Sequence, residues 1–287
     1  MIFVLLSVCC SVIVSVLLKL PRRYEINVPQ AVVWNYPVAA LLTYLIFNPQ
    51  VPALHTPGLP FSIYILLAIL LPSLFVILGL SVRYTGIVRT DLAQRLSLFI
   101  PLITSFLLFR EPVSALKAAG IVLGLVAIVC SVPWQKGRKK AESKAALFYP
   151  LIVFAGMGLI DVFFKQLALN KSVPYTGSIF IVFVLAFAFS IVALLTAIVT
   201  GRQRFSFVNV IAGLVLGIFN FGNILFYMKA HKALPDNPSV VFSAMNIGVI
   251  GLGALVGMAL FKERLSLLNK VALVIAVIAI VMISYSS

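Results

Sequence analysis

Two carboxylate–base pairs stand inside long apolar stretches of this sequence, each with the spacing of one helical turn. Asp91 precedes Arg95 by four residues, and Asp161 precedes Lys165 by four. Side chains four apart share a helical face, so each pair presents an acid and a base together. An ionisable group at the centre of a membrane span costs roughly 2.5–3.5 kcal/mol on insertion scales, so it faces a cavity or a partner. Arg95 sits deeper in its stretch than Asp91 and is the first candidate to bind a solute. A third base, Lys19, ends the first apolar stretch. Bases outnumber acids in these positions, which points to a solute with an anionic group: an amino acid, an organic acid or a phosphorylated metabolite. Structural alternatives exist. Lys19 lies within a turn of Pro21 and can extend its ammonium to the interface, and Asp161–Lys165 can be a self-neutralising ion pair.

The elements that must carry these residues follow from composition. Of 287 residues, 62% are hydrophobic and 10% charged. Soluble domains are roughly half apolar and a quarter charged, so a soluble enzyme is excluded. A bilayer-spanning helix needs roughly 20 apolar residues. Apolar runs fall at about 2–20, 30–47, 61–82, 91–109, 114–132, 146–168, 174–199, 206–230, 238–261 and 266–285. They are nearly unbroken, unlike the alternating strands of an outer-membrane barrel. The expected architecture is an all-α membrane protein of ten transmembrane helices. The net charge of +15 would suggest nucleic acid in a soluble chain, but here the bases cluster between apolar runs, as the positive-inside rule describes. No nucleic-acid partner is expected; the partners are the lipid bilayer and a small-molecule substrate, with the chain a monomer or homodimer. Cys9, Cys10 and Cys130 lie inside apolar runs and are not expected to form disulfides. The first run lacks the basic start of a secretory signal and reads as a retained helix.

The basic linker Lys136-Gly137-Arg138-Lys139-Lys140 divides the chain near its middle, giving halves at 1–132 and 146–287 around a linker at 133–145. FREPVSAL at 109–116 matches FKERLSLL at 261–268, an offset of 152, and Lys19 matches Lys165 at an offset of 146. Val28-Pro29 matches Val173-Pro174 at 145. Matches in the same order at nearly constant spacing indicate a repeat. Five helices per half is odd, so the second half must be inverted in the membrane. The repeat also relates Gln94 to Asn246, buried amides that either contact substrate from two symmetric sides or hydrogen-bond across helices. Asn35 and Tyr36 in helix two are similar candidates, beside Trp34. Asn220, Asn223 and Tyr227 are spaced three and four apart in helix eight and form one polar stripe, expected to line a cavity. Gly120/Gly124, Gly213/Gly217 and Gly253/Gly257 read as close helix-packing pairs. His55 and His231 fall in connections.

Five plus five helices, with Arg110-Glu111 and Lys262-Glu263 after the fourth helix of each half, resemble the EamA-type branch of the drug/metabolite transporter superfamily. The resemblance spans essentially the whole chain and implies two inverted five-helix repeats around a central cavity opened alternately to either side. Helix one carries no Asp or Glu, which argues against the proton-for-cation exchange of the small multidrug relatives. No P-loop and no metal-spaced His/Cys cluster is present, so neither a cofactor nor a metal is expected. The expected function is secondary transport of a small polar or anionic metabolite across the cytoplasmic (inner) membrane, with no enzymatic activity. A membrane-embedded enzyme would want clustered acids or histidines, and a non-transporting scaffold would leave Arg95 unexplained. If the Asp161–Lys165 pair works, Asp161 is the coupling group. Odd-numbered connections carry Arg22, Arg23, Arg83, Arg89, Lys136, Arg138, Lys139, Lys140, Lys144, Arg202, Arg204, Lys262, Arg264 and Lys270; even-numbered ones carry Arg110, Lys117, Lys171, Lys229 and Lys232. This places both termini outside, whereas ten-helix relatives usually have both inside.

Overall fold

Backbone in a bilayer has no water to bond, so long apolar segments must satisfy their own amides by coiling into helices. A computed structural model of the chain describes residues 2–20, 26–51, 58–97, 99–100, 103–104, 115–131, 140–170, 173–233, 238–262 and 265–285. Among them are ten helices and no strand. These are α1 (Ile2–Lys19), α2 (Val28–Phe47), α3 (Phe61–Thr85), α4 (Ile87–Leu96), α5 (Ala115–Ser131), α6 (Lys140–Leu169), α7 (Tyr175–Val199), α8 (Phe207–Ala233), α9 (Pro238–Phe261) and α10 (Leu267–Tyr285). Helices α1, α2, α3, α6, α7, α8 and α9 each contain a stretch long and apolar enough to cross a membrane; those of α5 and α10 are shorter. The chain is a multi-pass α-helical membrane protein.

Eight helices follow the apolar runs closely, and the fourth and sixth depart. The fourth starts at Ile87 rather than near 91, because α3 ends at Thr85 and the helix is broken at Gly86 with φ +95°, a conformation glycine adopts without steric cost. Residues 105–114, with Arg110 and Glu111, lie outside the described residues, as do Glu263, Arg264 and His55. α6 begins at Lys140, inside the segment read as linker, while 132–139 lie outside the description. α2 starts on Asn27, whose side chain accepts from the Gln30 amide, and stops on left-handed Asn48 before Pro49.

The helices pack into two compact units, each drawing on both halves of the sequence. The first comprises Met1–Lys19, Ile77–Gly158 and Gly222–Ser287. In it α5 packs along α10, α1 along α9, and α4 against α9 and α5. Ala272, Ala276 and Ala279 on α10 are fully buried, small residues that let helix backbones approach. Gly124 of α5 lies against the Phe99 ring, in a core that also contains Leu92, Leu96 and Ile250.

The second unit comprises Leu20–Val76 and Leu159–Phe221. Trp34 meets Phe187 at 6.3 Å between ring centroids and Tyr44 meets Phe180 at 5.8 Å, so α2 and α7 run antiparallel. Gly213 and Gly217 of α8 sit directly on α2, against the Ala31 carbonyl and Val38. One end is held by amides: Gln30 Oε1 accepts from Asn209 Nδ2 at 2.6 Å and from the Ser206 amide at 2.9 Å, and Asn209 Oδ1 accepts from the Asn27 amide at 2.9 Å. Elsewhere in this unit Tyr64 and Ser178 share a buried hydroxyl–hydroxyl hydrogen bond of 3.0 Å.

Candidate functional site

The most polar helix of the chain is also among its most buried. α4 reads IVRTDLAQRL, and Arg89, Thr90 and Asp91 are all buried among its neighbours. A polar group away from water is costly unless it is hydrogen-bonded, and the surrounding helices supply partners one by one. Thr90 Oγ1 bonds the hydroxyls of Ser81 at 2.9 Å and Thr85 at 3.1 Å on α3. With the Asn269 amide on α10 turned so that its oxygen faces donors, that oxygen accepts from Arg89 Nε at 2.9 Å and Nη2 at 2.8 Å, and its nitrogen donates to Ser266.

The remaining two charges meet α1. Ser15 Oγ donates to Asp91 Oδ1 at 2.7 Å, and Arg95 Nη2 donates to Ser11 Oγ at 2.6 Å. Ser7, Ser11 and Ser15 recur every four residues, so they form a ladder on one face of α1, and all three are buried. Ser7 Oγ continues the pattern by donating to Asn223 of α8, whose backbone O and Oδ1 lie at 2.9 and 2.8 Å. Lys19 comes one turn after Ser15, its ammonium 4.6 Å from the centre of the Phe261 ring, within cation–π range. Asp91 Oδ2 lies on Gly253 of α9, where an added Cβ would sit 2.6 Å away. That glycine is therefore more than a spacer between helices: it makes room for a carboxylate.

The other expected residues distribute unevenly. Arg95 and Gln94 are half-buried. Asn246 is buried on α9 of the first unit. Asn35 and Tyr36 are buried in the second unit, where Asn35 Oδ1 accepts from Asn220 Nδ2 at 3.2 Å. The Asn35 amide nitrogen, Tyr36 hydroxyl and Trp34 indole N–H are buried without a hydrogen-bond partner among the described residues. Along the stripe on α8, Asn220 belongs to the second unit, whereas Asn223 and Tyr227 contact α1 in the first. Asp161 is exposed and Lys165 half-buried, both in the second unit. The second unit also holds a cavity of about 240 Å³ between α2, α3 and α7, lined by Val32, Val33, Pro72, Phe189, Leu194 and Gln203 among others. None of its lining residues is charged; its polar ones are Ser73, Ser190 and Gln203. Cys9, Cys10 and Cys130 are free thiols.

The serine ladder is what reading for charges misses. Its signal is present in the sequence as Ser7, Ser11, Ser15 and Lys19 at i, i+4, i+8 and i+12. Serine is common enough in apolar helices, bonding its own backbone, for the pattern to pass unremarked until Arg95 and Asp91 are seen against it.

No family model matches the chain. An uncharacterized protein of Haemophilus influenzae is 38% identical over 284 residues, covering 97% of this chain and 96% of its own. The chain belongs to the family of that protein. The alignment runs through the whole length of both proteins, so the likeness is not confined to one part of the chain. Membership carries no activity, because function resides in the site and not in the fold.

Proposed function

We propose that the protein is a secondary transporter for a small metabolite with an anionic group, built as ten spans in two inverted repeats of the EamA type. The observation that carries this reading is α4, a buried polar helix in a membrane protein, whose Arg95 is oriented by Ser11 of α1. Arginine presents a planar fork that matches carboxylates and phosphates. Two features support the repeat. The antiparallel contact of α2 with α7 is what an inverted copy requires of equivalent helices, and the α4–α9 and α5–α10 contacts also join equivalent positions. Ser11 and Ser15 position the charged groups of α4, and Asn246 belongs to the same unit. Cells would carry the protein in the cytoplasmic membrane.

Counterflow in proteoliposomes tests the function. Labelled lactate, glutamate and glycerol 3-phosphate serve as probes, and at least one is expected to exchange against its unlabelled form. Exchange of none of them, with release of a modified product instead, would favour a membrane-embedded enzyme. The orientation is tested separately. The excess of bases in odd-numbered connections, which persists when Arg89 of α4 is left out, points to both termini outside, so a periplasm-active reporter fused after Ser287 is expected to be bright and a cytoplasm-active one silent.

A further inference from the structure

The transporter reading leaves its driving force unassigned. We propose, resting on that reading, that Asp91 is the proton-coupling carboxylate. It takes up one proton as a monoanionic solute settles on Arg95 and returns it on the opposite side of the membrane. Sequence spacing points to Asp161 for this role, but Asp161 is exposed whereas Asp91 is only 2% exposed.

The surroundings of Asp91 explain why solute and proton would travel together. On α4 itself the charged groups are Arg89 and Arg95. The elements that touch α4 add Lys19 on α1, Arg83 on α3, Lys117 on α5 and Lys270 on α10, while α9 contributes no ionisable residue. Their other titratable groups are thiols (Cys9, Cys10, Cys130) and phenols (Tyr64, Tyr84, Tyr285). None of these helices carries a second acid. Asp91 is thus the one acid carried by these helices, four residues and about 6 Å of rise from Arg95. A solute anion on Arg95 would bring a second negative charge within that distance, where low dielectric leaves repulsion poorly screened. Protonating Asp91 removes the conflict. A hydronium ion on the loading side gives its proton to the carboxylate, forming an O–H bond and leaving water. On the far side water takes the proton back, and the carboxylate and its Ser15 hydrogen bond are restored. A monoanion and a proton together move no net charge.

Proteoliposomes clamped at zero membrane potential test this with whichever of lactate or glutamate exchanges. With the loading side one pH unit more acid, the wild type is expected to accumulate the probe about tenfold, and Asp91→Asn less than about twofold while still exchanging label. Equal accumulation by both proteins would overturn the proposal. So would loss of exchange by a folded Asp91→Asn protein, which would make the carboxylate part of the binding site. Ser15→Ala gives a test that leaves every charge in place. It removes a hydroxyl that donates to the ionised carboxylate, so the pH of half-maximal accumulation is expected to rise, and an unmoved profile would overturn the coupling role. If the wild type exchanges no probe at all, the transporter reading itself falls and takes this one with it.

Discussion

Arg95→Gln is expected to abolish exchange of the anionic probes while the protein remains folded. Glutamine keeps an N–H donor for Ser11 Oγ, which Arg95 contacts at 2.6 Å, but removes the charge. Hydrogen bonds to charged groups contribute about 1.5–3 kcal/mol, so losing one weakens solute binding by roughly tenfold to a hundredfold or more. Exchange rates and melting temperature, measured on the same purified protein, separate the two roles. If Arg95 serves only the packing of α4, its removal breaks a buried polar arrangement, with a cost near the roughly 3–5 kcal/mol of a broken buried pair; melting then falls steeply. A stable Arg95→Gln protein that exchanges normally would remove Arg95 from the site. Arg95→Lys refines the result: it retains the charge without the fork, and is expected to bind the solute more weakly than the wild type but better than Arg95→Gln.

Gly213→Ala is expected to cause a clear loss of stability from a single added methyl. The Cβ of an alanine would overlap the Ala31 carbonyl oxygen, and the Trp34 Cβ would lie 2.6 Å away. Backbone cannot swing aside as a long side chain can, so α8 must back away from α2. Overpacking of a close contact costs about 1–3 kcal/mol, and the separation would also loosen the 3.2 Å bond from Asn220 to Asn35 one to two turns further along. Thermal unfolding in detergent is expected to show a clear drop for Gly213→Ala. Gly251→Ala is the control: nothing lies within 4 Å of a Cβ built there, and alanine favours helix by about 1 kcal/mol, so its melting should be no lower than the wild type's. Equal melting of the two variants would mean that the α2–α8 approach contributes nothing to stability.

The sequence by itself determined the class of the protein and the order of the ten helices found among its described residues. That was possible because the bilayer imposes a length and a composition on every span, and both are written locally. The glycine pair at 213 and 217 was equally legible, since small residues four apart have one main use in apolar helices. The start of α4 was not legible. Its first residues, Ile87 to Thr90, mix apolar and polar types with no clear period, and they pack among α1, α3, α5, α9 and α10 only in the folded chain. Charge spacing found Asp91–Arg95 and Asp161–Lys165 with equal force, because a four-residue interval records a shared face and not what the face meets. The tertiary structure separated them: the first pair is set against the α1 serines, while Asp161 is left exposed. The same limit applies to the stripe on α8, continuous along the helix yet divided between two units. Periodicity fixes which side chains point together; which neighbour they point at depends on contacts between residues as far apart as Ser7 and Asn223, or Asn35 and Asn220, and those exist only in the folded chain.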